Sequence, residues 1–192
     1  MSSAISVYAV PLSRLKYVVG SGDRAVIDAT IADYKAFLTG IDTIDGEAEM
    51  TSADAVADLV NGVATENGPG YLYGYALEAL CGHIGKELPN ICPIARASGW
   101  IRETDAALEG KGVPVRIGTL VFGGSPVPIP EPDDAPCIGA WPASVIPAAL
   151  EAFRSLDLTD VDDEMAETFA QVRGWLEAAA QRPGVSIIGF LS

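Results

Sequence analysis

Apolar residues run almost unbroken at both ends of this chain, and between them they recur at helical spacing. Ile5–Val10 is an apolar run closed by Pro11, and Val185–Leu191 is a second, opened by Pro183-Gly184. Both read as buried strands. Leu12, Leu15, Val18 and Val19 predict one or two helical turns, ended by Gly20 and Gly22. Asp23 then caps a helix with the stripe Val26, Ile27, Thr30, Ile31, Tyr34, Phe37 and Leu38, for which Gly40 is the expected stop. Ile41–Met50 reads as acidic and irregular. Thr51 and Asp54 form a capping-box pair before a helix that turns Val56, Leu59, Val60 and Val63 inward.

After the turn Asn67-Gly68-Pro69-Gly70, helical spacing returns at Tyr73, Leu77, Leu80, Ile84 and Leu88 in a glycine-rich stretch. A further helix is expected near Trp100–Glu109. Val113–Phe122 alternates like a strand, yet Pro114 and the closing Gly123-Gly124 suit a short helix, and the helix is the favoured reading. Cys137–Trp141 reads as extended. Val145, Ile146, Ala149, Leu150 and Phe153 line a helix with Pro147 in its first turn. Thr159 or Asp160 is the expected cap of the last helix, whose inward residues are Phe169, Val172, Leu176, Ala179 and Ala180.

Pro126, Pro128, Pro130 and Pro132 fall on every second position. In an extended strand those residues share one edge, which then has no donors, so Ser125–Asp133 predicts the guarded outer edge of a sheet. The period of two also argues against a PxxP-type ligand, whose period is three. A core strand at each end implies that one sheet needs the whole sequence. The expected architecture is one α+β domain over residues 1–192, with several helices on a small sheet that includes both terminal strands and a proline-rich edge segment.

Composition changes this picture little. Apolar residues make up 49% and charged residues 20%, as in ordinary globular proteins. The net charge of −14 adds more, because it repels phosphate backbones and anionic lipid. Nucleic acid and membrane are therefore not the expected partners; a basic protein is. No run approaches the length of a membrane span, and the N-terminus lacks a basic leader, so the expected location is the cytoplasm. Cys81, Cys92 and Cys137 read as reduced, buried residues.

Candidate chemistry is sparse. The single histidine, His83, stands two residues from Cys81 but on another helical face, so neither supplies the other with a base or a nucleophile. No metal-ligand spacing occurs and the acidic stretches lack a calcium-loop pattern, so no cofactor or metal is expected. Gly68–Gly74 has glycines but no phosphate-loop signature. The constellation that remains is Tyr71, Tyr75 and Glu78 with Gly74 and Gly82. At helical spacing these share one face, presenting two phenols and a carboxylate beside a glycine-thinned backbone on which another element can dock, from this chain or a partner. Trp141 joins them as a candidate contact residue at an element end. Asp133-Asp134 reads as a turn-forming pair.

Three segments carry a resemblance: Ile5-Ser6-Val7-Tyr8-Ala9-Val10-Pro11-Leu12, Tyr73-Gly74-Tyr75-Ala76-Leu77-Glu78, and Pro128–Asp134 with Ile138-Gly139. Together they resemble an uncharacterised family of high-GC, actinomycete-type soil bacteria. The last seventy or so residues resemble the YfbM-like family more loosely, through a proline-opened helix, an acidic stretch and Trp175-Leu176-Glu177-Ala178-Ala179-Ala180 before a terminal strand. The resemblance implies a small bacterial cytosolic α+β protein and carries no catalytic motif. The expected function is noncatalytic binding of a basic protein, in the manner of an immunity protein or antitoxin, centred on Asp42–Glu49 and the segment 160–167. An enzyme using Glu78 with Tyr75, or a structural oligomerising subunit, is the alternative.

Overall fold

A computed structural model describes residues 5–44, 49–64, 68–90 and 97–192. Its centre is a pair of antiparallel strands, β1 (Ile5–Pro11) and β4 (Val185–Leu191), matched residue for residue from Ile5 opposite Leu191 to Pro11 opposite Val185. β3 (Cys137–Trp141) adds to β4, and the two-residue β2 (Lys86–Glu87) adds to β1, giving the order β2-β1-β4-β3, antiparallel throughout.

Successive residues of a strand point to opposite faces, and here both faces are covered. Ile5, Val7, Val185, Ile187 and Trp141 enter one core; Tyr8, Val10, Ile188, Phe190 and Ile138 enter the other. The second core is closed by α1 (Leu12–Val18), α2 (Arg24–Asp33), α3 (Lys35–Ile44), α4 (Ser52–Asn61) and α5 (Gly70–Ile84). The first is closed by α6 (Ala97–Gly110), α7 (Ile117–Phe122), α8 (Ile146–Arg154) and α9 (Asp163–Ala180). This α+β sandwich of helices, sheet and helices explains why the terminal strands read as unbroken apolar runs, since neither has a wet side to alternate with. Each aliphatic side chain buried there contributes roughly 1.5–3 kcal/mol.

Gly139 and Gly189 face each other across β3 and β4. A methyl group on Gly139 would stand 2.2 Å from the Thr119 carbonyl oxygen, and one on Gly189 2.8 Å from that of Leu120. The paired glycines let α7 lie on the sheet at backbone distance. Asp105 of α6 fixes the start of α7 by accepting from the Ile117 and Gly118 N–H groups at 2.5 and 2.9 Å. Trp141 Nε1 donates to the Arg116 carbonyl at 2.8 Å, just ahead of the same helix.

Several local expectations change. Ser125–Asp133 forms no ladder; it precedes the edge strand β3 and wraps over α5. It bends at Pro126 and Val127, and Val127 is buried against helices, where burial replaces strand pairing. The outer edge of β3 is instead guarded by Gly124, whose N–H donates to the Ile138 carbonyl at 2.8 Å. Gly40 does not end its helix: the chain breaks at Tyr34 and α3 continues to Ile44, because burial of Leu38 and Ile41 outweighs the roughly 1 kcal/mol a helical glycine costs. The cap of α9 is Asp162, accepting from the Met165 N–H at 2.8 Å. Leu88 lies beyond α5, after β2. Residues 45–48, Asn67 and Cys92 lie outside the described residues.

Candidate functional site

α5 is apolar on nearly every side and runs beneath the sheet, so its few polar groups are placed by the elements that press on it. Three glycines make that pressure possible. A methyl on Gly70 would stand 2.1 Å from the Glu131 carbonyl oxygen, one on Gly74 2.8 Å from the Pro136 ring, and one on Gly82 1.7 Å from the Tyr34 hydroxyl. The glycine-thinned face therefore docks the proline segment and Tyr34, both from the same chain.

Tyr71 and Tyr75 are half-buried along this face, and Glu78 is buried at 3% exposure. The Tyr75 ring meets Phe37 edge-on, with centroids 6.0 Å apart. Its phenol is pushed above its ordinary range by burial, then by the charges of Glu78 and Asp134. Glu78 accepts a hydrogen bond from the Tyr8 hydroxyl at 3.2 Å. Burial raises the Glu78 carboxyl above its ordinary range; the hydroxyls of Ser6 and Tyr8 pull it partway back, and the charge of Glu87 adds to the rise. Burial first, and then Glu78, raises the Tyr8 phenol strongly. The structure thus joins Glu78 to Tyr8, Ser6 and Glu87. Sequence reasoning missed these three. Ser6 and Tyr8 do share a strand face, but nothing local tied that face to a helix seventy positions away.

Trp141 is not brought to this group. It is buried on the opposite side of the sheet, beside Trp175 at 6.4 Å. His83 Nδ1 lies 2.8 Å from Asp33 Oδ2, a histidine–carboxylate pair between α5 and α2. Cys81 is fully buried, and burial holds its thiol well above its ordinary range, so it offers no thiolate to that pair. Among the described residues no three histidine, cysteine or acidic side chains gather as metal ligands.

The proline segment lines an open cavity of about 510 Å³. Pro132 and Pro136, which touch Gly74 inward, line it together with Pro128, Phe122, Glu131 and Asp134. Phe122 is 57% exposed at its edge. Glu131 and Asp134 are exposed and join no ion pair among the described residues. Some acidic groups elsewhere are occupied: Asp42 accepts from the Ser52 N–H at 2.7 Å, Asp160 pairs with Lys111, and Asp162 caps α9. The cavity therefore combines proline and aromatic faces with two carboxylates that join no ion pair among the described residues, in a lining that is about half polar. Such a lining is chemically suited to a cation that carries an apolar part.

No helix among the described residues is long and apolar enough to cross a membrane. No curated protein and no solved structure matches the sequence. A family described as a domain of unknown function matches residues 1–192, from the first strand to the last, and the chain belongs to that family, DUF7691.

Proposed function

We propose that this is a noncatalytic bacterial cytosolic protein that binds a basic protein partner, in the manner of an immunity protein or antitoxin. The observation that carries the reading is the proline-walled cavity with Glu131 and Asp134 unpaired in its lining, on a chain of net charge −14. The long-range field draws a cationic partner in and speeds encounter. The cavity gives the encounter a place to become specific, and its walls are set in advance, so little ordering cost is added on binding. The looser YfbM-like resemblance of the final third fits the same bacterial setting.

The test is a titration against purified products of neighbouring genes at low and moderate ionic strength, followed by calorimetry. A basic product should bind, with affinity falling about tenfold as salt rises over that range. The reading is overturned if no basic product binds, or if binding ignores salt.

A second reading, an acid–base enzyme built on Glu78, has one observation behind it: burial holds that carboxyl above its ordinary range. Its hydrogen-bond partner is Tyr8 rather than Tyr75, and at 3% exposure it offers a substrate little access.

A further inference from the structure

Phe122 closes α7 with its ring turned out of the core, 57% exposed on a helix whose Ile117, Leu120 and Val121 are all buried. Its ring forms one wall of the same cavity whose lining holds Glu131 and Asp134. An aromatic face, proline rings and free carboxylates around one cavity suit one cation better than another. An ammonium is a strongly hydrated point charge, and apolar walls strip water from it at a cost. A guanidinium is planar and weakly hydrated; it stacks on aromatic and proline faces while its edge forks onto a carboxylate. The volume, about 510 Å³, takes a long side chain together with some of the backbone that bears it.

Resting on the binding function proposed above, we infer that this cavity receives an arginine side chain presented by the protein partner, with the guanidinium stacked on Phe122 and bonded to Glu131 or Asp134. Charge complementarity names the occupant's sign, and the aromatic and proline faces in the lining name arginine over lysine. Glu131 and Asp134 are the charged side chains of the lining, so they are the acceptors that match a guanidinium in charge.

The full-length protein is titrated with a blocked hexapeptide carrying two arginines, its lysine and citrulline counterparts, and free arginine, with binding read by calorimetry. The arginine peptide should bind at least about fivefold more tightly than the lysine peptide, and the citrulline peptide about tenfold more weakly than the arginine one. Phe122→Ala and Asp134→Asn alter exposed positions, and each should weaken the arginine peptide several-fold while thermal unfolding stays where it was. A double variant, Glu131→Gln with Asp134→Asn, should abolish the preference for arginine over citrulline. Equal binding of lysine and arginine peptides would overturn the inference. So would free arginine binding as tightly as the peptide, which would mark a small-molecule site, or Phe122→Ala leaving affinity unchanged. The broader reading fails separately: a basic partner that binds with salt dependence, yet is indifferent to these substitutions, sinks the arginine pocket and leaves the binding function standing.

Discussion

At the scale of single residues, Glu78 shows how a helical position acquires its chemistry from elsewhere in the chain. Its spacing with Tyr71 and Tyr75 on one face of α5 was legible, because 3.6-residue periodicity is a local property. Its partner Tyr8 was not, because the bond at 3.2 Å depends on how β1 lies over the helix. The raised carboxyl has a consequence for stability. The folded protein holds that proton more tightly than the unfolded chain does, so the contribution of Glu78 is fully present below the ordinary value of 4.5 and is lost as pH rises through the higher folded value. Glu78→Gln keeps an acceptor for Tyr8 and removes the titration. Urea midpoints of the two proteins, measured from about pH 4 to about pH 8, should therefore move in the variant's favour as pH rises. A constant gap across that range would show that the carboxyl is not perturbed. Trp141 makes the complementary point: its place at an element end was readable, but which face of the sheet it entered depended on the parity of β3 against β4, which fixed it beside Trp175.

Elements were read well where their signals are local. The capping box of α4 appears as expected, with the Thr51 Oγ1 accepting from the Asp54 N–H at 3.1 Å and Asp54 Oδ2 accepting from the Thr51 N–H at 3.0 Å. Pro147 stands in the first turn of α8, and β3 spans Cys137–Trp141 as read. Two of the misreadings share a cause, which is that contact overrode a local stop or start. Burial carries α3 past Gly40, and the glycines of α5 draw the proline segment away from the sheet. Two glycines of similar local appearance should therefore respond oppositely to alanine. At Gly70 the new methyl would meet backbone at 2.1 Å, whereas at Gly174, within α9, nothing lies within 4 Å. Gly70→Ala should cost about 1–3 kcal/mol by displacing the proline segment. Gly174→Ala should stabilise by about 0.5–1 kcal/mol through helix propensity. Chemical denaturation of both variants checks the pair, and equal effects would remove the docking account of the α5 glycines.

For the molecule as a whole, the α+β class and the inclusion of both terminal strands followed from the two apolar runs, whose lack of alternation is also what burial on both faces produces; which helices cover which face did not follow, since an apolar run has no direction in it. The short β2 gave no sequence signal at all, having two residues and both exposed. Protection should be graded across this architecture. Amides of β1 and β4, paired in the middle of the sheet and covered on both faces, should exchange with solvent most slowly; those of β2 and of Ser125–Asp133 should exchange early. Hydrogen exchange followed by mass spectrometry reads this directly. Uniform protection would contradict a sheet whose strength lies at its centre.

The pairing of β1 with β4 also sets an order of events in time. Residues 5–11 find their principal ladder in residues 185–191, and Val127, Ile138, Ile188 and Phe190 complete a core otherwise built from the first half of the chain. A ribosome therefore releases β1, α1 and the helices through α5 well before the strand that completes their sheet exists. Until then one side of β1 presents unpaired backbone groups, which invites association with other chains. Closing so long a loop places folding in the slow, non-local regime, nearer milliseconds to seconds than microseconds. The same ladder that makes the finished centre hardest to open cannot begin to form until β4 has been made.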